Sequence, residues 1–168
     1  MKRIGFGQVE PNHLSAQRNG QIYAQLPAAK SLSVLENGMF VKYDYAAGEV
    51  NLTGEGEWML VLNEVKLYDD AWRVSYKDYA MQAKNFVNGE MVPRVFKTHV
   101  GDIYTTNCFP ITDAATGAMA DLEVGAKLSP NAQGYLATAG EDAEMVWKVV
   151  KVYTMPDGQD GVKLQRVK

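Results

Sequence analysis

Gly48-Glu49-Val50-Asn51-Leu52-Thr53-Gly54-Glu55-Gly56-Glu57-Trp58-Met59 is answered, 86 positions further on, by Gly134-Tyr135-Leu136-Ala137-Thr138-Ala139-Gly140-Glu141-Asp142-Ala143-Glu144-Met145. Both stretches follow the pattern Gly-x5-Gly-Glu-x3-Met. The match extends outward with small slips: Leu35-Glu36-x-Gly38 returns as Leu122-Glu123-x-Gly125 at an offset of 87, and Val65-Lys66-Leu67-Tyr68 as Val150-Lys151-Val152-Tyr153 at 85. Slips of one residue are what length changes in surface loops produce. Self-similarity of this kind marks a duplicated supersecondary unit. Convergence of short strands on a shared glycine-turn grammar is the alternative, and a structure decides between them.

Each copy reads as turn, strand, glycine turn, strand, glycine turn, long strand. In Met39-Phe40-Val41-Lys42-Tyr43-Asp44-Tyr45 the residues Met39, Val41, Tyr43 and Tyr45 share one face of an extended chain. Trp58 to Tyr68 is apolar on both faces at its start, which suits a strand covered on both sides. Short runs rich in β-branched and aromatic residues predict further strands at Trp72 to Tyr76, Arg94 to Val100, Asp102 to Thr106, Gly134 to Ala139, Met145 to Tyr153 and Val162 to Val167. Lys77 to Phe86 is the one helix-like stretch, closed by Asn88-Gly89. The expected fold is mainly β. Because a lone meander buries too little apolar surface and leaves its edges open, the two must pack together, as a compact antiparallel β-barrel or β-sandwich. The organisation is then an N-terminal arm over 1–30, a meander over 31–70, an insert with a short helix over 71–120, and a second meander over 121–168.

The arm is set apart by its lack of periodicity. Gly5, Gly7, Pro11, Asn12, Asn19 and Gly20 punctuate it, and its apolar residues stand singly. Lys2, Arg3, Arg18 and Lys30 against Glu10 give it a net charge of +3. Such a segment gains order when laid in a groove on a partner. Its candidate contact residues are Ile4, Phe6, Leu14, Arg18, Ile22 and Leu26.

Composition narrows the chemistry. The chain has 168 residues, 46% apolar and 22% charged, with a net charge of -3, so phosphate gains no global attraction, although a local basic patch is still allowed. One cysteine forms no internal disulfide, and two histidines make a thin acid–base inventory. No apolar run approaches the length of a membrane span, and no signal-peptide core follows Met1. Asn51-Leu52-Thr53 matches a glycosylation sequon by chance in a strand-like segment.

Candidate catalytic groups are few. Cys108 with His99 nine positions earlier is a nucleophile–base pair on paper, yet a thiol in such a run more often packs as a small hydrophobe. Asp69-Asp70 and Glu141-Asp142-x-Glu144 sit beside turns and lack the ligand spacing of a calcium loop. Met155-Pro156-Asp157-Gly158 is a turn signature, since proline presets φ and glycine accepts a positive one. Gly54-Glu55-Gly56 has no lysine or helix start to cradle phosphate. No metal or cofactor is expected. In the insert, Trp72, Val74 and Tyr76 alternate with Arg73, Ser75 and Lys77, as the buried and exposed faces of a strand do, or as a base-stacking groove does.

Leu35-Glu36-Asn37-Gly38-Met39-Phe40-Val41-Lys42-Tyr43-Asp44, Leu60-Val61-Leu62-Asn63-Glu64-Val65-Lys66-Leu67-Tyr68-Asp69, Val100-Gly101-Asp102-Ile103-Tyr104-Thr105-Thr106-Asn107 and Leu122-Glu123-Val124-Gly125-Ala126-Lys127-Leu128 together resemble β-rich decoration (cement) proteins of tailed-bacteriophage heads. The resemblance implies a non-enzymatic virion protein, made in the host cytoplasm, that binds the major capsid protein and forms a trimer or dimer. It carries no contact residues over. The rival reading is a β-barrel binding module for a small ligand or single-stranded nucleic acid, and a hydrolase or peptidase built on Cys108 ranks third.

Overall fold

The computed structural model describes residues 1–9, 25–63 and 80–168. The first copy forms a four-stranded antiparallel sheet from β2 (Phe40–Asp44), β3 (Glu49–Asn51), β4 (Trp58–Val61) and β6 (Val95–Phe96), in the order β3-β2-β4-β6. The second forms a five-stranded antiparallel sheet from β10 (Lys127–Pro130), β11 (Leu136–Thr138), β12 (Trp147–Thr154), β13 (Asp160–Arg166) and β7 (Ile103–Thr106), in the order β11-β10-β12-β13-β7. Strand for strand the order is shared: the first strand is central, the second folds back on one side, the third pairs on the other, and a fourth follows.

The turns agree in detail. Gly38 donates its N–H to the Val61 carbonyl at 2.9 Å while Val61 donates back to Met39 at 2.8 Å, so two residues oppose one. Gly125, Val149 and Ala126 repeat this at 2.8 and 2.9 Å. Both glycines have left-handed φ, +98° and +97°, which is why the Leu-Glu-x-Gly phrase recurs where a side chain would be strained. Gly48 and Gly134 close the next hairpins at φ +71° and +80°, after Asp44 and Asn131, whose Oδ1 atoms accept backbone N–H groups of the loop. The duplication is therefore structural. The register also corrects the sequence match in the third strand: counted from the turn, Met59 corresponds to Trp147 and not to Met145, because the loop before β12 is longer.

The copies stack in sequence, one behind the other. Phe40 and Leu60 on one face of the first sheet enter a core with Leu128, Leu136, Trp147, Val149, Val162, Leu164 and Tyr104 of the second, and the Phe40 and Trp147 rings lie 6.0 Å apart. The opposite face of the first sheet, with Val41, Tyr43, Val50, Met59 and Val61, packs in a second core under Ala28, Ala29, Leu32, Leu35, Met81 and Met91. This is why the start of β4 is apolar at every position. The arrangement is a layered sandwich of open sheets, and no closed barrel forms among the described residues.

The insert is shared out rather than folded apart. Ala80-Met81-Gln82, expected as helix, is β5 (Ala80–Gln82), paired with β1 (Val34–Glu36), and only two 3-10 turns follow, at Ala83–Asn85 and Val87–Gly89. A helix of under three turns has little stability of its own, so strand pairing over the second core overrides its propensity. β6 completes the first sheet, β7 the second, and β8 (Ile111–Asp113) with β9 (Ala118–Met119) makes a separate ribbon. Met155 to Gly158 is the expected hairpin turn between β12 and β13, closed by Met155 N–H to Gln159 C=O at 2.7 Å. Trp58, expected to be buried, is half-buried: the Lys42 ammonium lies 4.9 Å from its ring centre, while Trp147 is sealed. The strand expected at Trp72 to Tyr76, and the far end of Trp58 to Tyr68, fall outside the described residues.

Candidate functional site

The N-terminal tract departs most from expectation. The described parts of the arm, 1–9 and 25–30, are fastened to the body. Lys2 bridges Ala118 of β9, Val9 bridges Thr106 of β7, and Ala28 bridges Val50 of β3. Arg3 N–H donates to the Gly117 carbonyl at 3.0 Å, Gln8 N–H donates to Asn107 Oδ1 at 2.8 Å, and the Thr106 hydroxyl donates to the Gln8 carbonyl at 2.5 Å. Backbone pairing needs no apolar alternation, so a glycine-broken sequence hides this stitching.

Beneath the tract lies a buried polar knot. Glu36 of β1 faces the Arg3 guanidinium at 2.9 Å, accepts the Tyr135 hydroxyl at 2.6 Å and accepts the Gly7 N–H. Arg3 and Glu36 are both nearly sealed, at 4% and 5% exposure, so each charge requires the other. Tyr135 comes from the second copy's hairpin and Glu36 from the first. The carboxylate thus ties both copies to the N-terminal tract, and burial, reinforced by the hydrogen bond and negative charge of Glu36, pushes the Tyr135 phenol well above its usual range. Gly7 leaves no room for a side chain, since a Cβ there would stand 2.6 Å from Cys108 Sγ.

That crowding disposes of Cys108 as a nucleophile. The thiol is fully buried, and burial, reinforced by Glu36, raises it well above the ordinary thiol value. His99 is exposed at the surface, with Nδ1 3.9 Å from Asp102. Glu141, Asp142 and Glu144 lie in an exposed turn, where Glu144 pairs with Lys42 at 3.2 Å, and no metal-holding cluster occurs among the described residues. Asn51 of the sequon is held in its own turn, its Oδ1 accepting the Thr53 and Gly54 N–H groups.

Of the six candidate contact residues, Ile4 is 62% exposed, Phe6 half-buried, and Leu26 packs against the second core. Leu14, Arg18 and Ile22 fall outside the described residues. Ile4 and Leu26 serve different places and form no common surface. Ile4 instead overhangs a 650 Å³ cleft lined by Ile111, Ala114, Ala115 and Ala118 of the ribbon, where β8 is exposed along its whole length. No sequence signal singles out Ile111, which follows Phe109-Pro110 and lies in no alternating run. Comparison with known families, curated proteins and solved structures gave no match to this chain.

Proposed function

We propose that this chain is a non-enzymatic virion protein that binds and stabilises the capsid shell of a tailed bacteriophage, with the major capsid protein as its partner. The observation that carries this reading is the pairing of a firmly stitched N-terminal tract with an exposed apolar residue, Ile4, over the cleft beside β8. Arg3 and Val9 hold the backbone on either side, so Ile4 is presented without the entropy cost of ordering a free tail. Among the described residues β8 pairs only with β9, and its other edge can take an extended capsid segment as an added strand. The sealed, unactivated Cys108 thiol supports a binding role over the nucleophilic one.

The test is co-sedimentation with phage capsid shells that lack this protein. Wild-type protein should sediment with the shells, and Ile4→Asp or Ile111→Asp should weaken binding at least tenfold, about 1.4 kcal/mol, with the fold unchanged by circular dichroism. Absence of co-sedimentation by the wild type overturns the reading.

A further inference from the structure

We infer that the outer face of the second sheet is a cationic platform for the phosphate backbone of a nucleic acid, contacted without reading its bases. Lys127 of β10 stands directly opposite Lys148 of β12, and Lys151 of β12 directly opposite Lys163 of β13. Leu128, Trp147, Val149, Val162 and Leu164 point into the core, so the four lysines share the other side. Lys127, Lys148 and Lys151 are exposed and Lys163 half-buried. Like charges directly across a strand pair destabilise a sheet, and here the arrangement occurs twice on one face. None of the four makes an ion pair among the described residues, where Lys42 and Lys97 do. At one end, Lys127 and Lys148 line a 550 Å³ cleft with Lys168 and Gly140, where Glu141 is the facing side-chain carboxylate.

The duplication sharpens the point. At the positions where the second copy has Lys127 and Lys148, the first copy has Phe40 and Leu60, covered by the second sheet. Nothing in the backbone of this unit requires lysine there. A bulge at Val150 sets Lys148 opposite Gln165 and Lys151 opposite Lys163, so the pairs sit two residues apart along β13, or about 7 Å at the rise of a strand, far enough for separate phosphates. A folded protein partner fits this face less well: protein interfaces are depleted in lysine and built on aromatic or aliphatic anchors, and beside its four lysines the platform offers the half-buried Tyr153, with the Lys151 ammonium 5.6 Å from its ring centre, and Val167 at the cleft. A chain with net charge -3 that gathers unpaired cations on one sheet face is locally complementary to a polyanion there. This reading does not depend on capsid binding.

Fluorescence anisotropy with a fluorescein-labelled mixed-sequence oligonucleotide, offered as a single strand and as a duplex to the full chain, tests it and shows which form is preferred. Binding should appear at low salt and fall roughly a hundredfold between about 50 and about 200 mM salt, as four phosphate contacts require. Lys148→Gln with Lys151→Gln should weaken low-salt binding at least tenfold and lower the log–log salt slope by about 2, with an unchanged thermal midpoint. Lys30→Gln with Lys84→Gln, at exposed lysines elsewhere, should leave binding intact. The inference is overturned if neither oligonucleotide binds at low salt, or if the Lys148/Lys151 double variant binds as the wild type does. Polyglutamate binding as tightly as DNA also overturns it, by reassigning the face to an acidic protein.

Discussion

Phe40 opposite Leu60 in the first sheet and Lys127 opposite Lys148 in the second occupy one and the same register, counted from turns with matching hydrogen bonds, yet the first pair is sealed and the second faces solvent. The strand path of the unit is set by its turns: Leu-Glu-x-Gly with a left-handed glycine, then an Asp or Asn loop closed by a second left-handed glycine. The faces are set by what lies over them. Covered on both sides, the first copy became apolar on both sides. Covered on one, the second kept alternation, and its free face took charge. Repeat units stacked in this way bury a continuous core only where a neighbour exists, and the terminal one has a polar outer side.

Exchanging the register-equivalent residues breaks this comparison most sharply. Leu60→Lys places an ammonium between two sheets with no partner and should cost above about 4 kcal/mol in urea unfolding, or prevent folding. Lys148→Leu should change stability by no more than about 0.5 kcal/mol. Similar effects for the two would mean that the faces are not layered as described.

The tryptophans give the next contrast. Trp147 packs edge-on against Tyr104 at 4.8 Å and is fully buried, so Trp147→Ala should cost about 3–5 kcal/mol. Trp58→Ala, at a half-buried ring under Lys42, should cost about 1–2 kcal/mol. Equal losses would show that Trp58 belongs to the sealed core.

The paired glycines differ in the same sense. A Cβ at Gly38 would lie 2.6 Å from Cys108 Cβ and 2.7 Å from Thr106 Oγ1, whereas at Gly125 it meets nothing within 4 Å. Gly125→Ala should cost about 1 kcal/mol for its left-handed φ alone, and Gly38→Ala about 3 kcal/mol once overpacking is added. Denaturant midpoints of the two variants check this.

Much of the fold was legible because its determinants are local. The recurrence of glycines at Gly38, Gly48, Gly125 and Gly134 announces the turns, and the alternation in Phe40–Asp44 and the apolar start of β4 announce the covering of the first sheet. What escaped is non-local. Ala80-Met81-Gln82 favours helix until β1 is available to pair with it. Arg3 and Glu36 read as ordinary surface charges, because nothing within a few residues of either reveals that they meet. Ile4 was legible as an exposed apolar residue of the arm, but the ribbon that makes it a surface, Ile111–Asp113 with Ala118–Met119, has no periodicity to show. The Lys148 and Lys151 charges were visible and their pairing with Lys127 and Lys163 was not, since cross-strand neighbours depend on register.

A smaller effect separates the buried thiol from the surface. Cys108 is held neutral by burial, so at alkaline pH the unfolded chain loses its thiol proton while the folded one retains it. Stability should therefore fall as pH rises past the ordinary thiol value of about 8.5, and Cys108→Ala should remove that component. The remaining decline, from the buried Tyr104 phenol and the Tyr135 phenol beside Glu36, should begin near pH 10, about the ordinary tyrosine value. Unfolding free energies of both proteins across that range give the comparison, and an identical pH slope would show that Cys108 is solvated.

Amide hydrogen exchange tests the duplication most directly. Gly38 and Gly125 donate to Val61 and Val149, which in turn donate to Met39 and Ala126. All four amides should be protected, and each pair should match, Gly38 with Gly125 and Val61 with Val149, to within about tenfold, since equivalent bonds in two copies of one unit open with similar free energies. Exchange at the free-peptide rate by one member of either pair, with its counterpart protected, would contradict two copies of a single sheet.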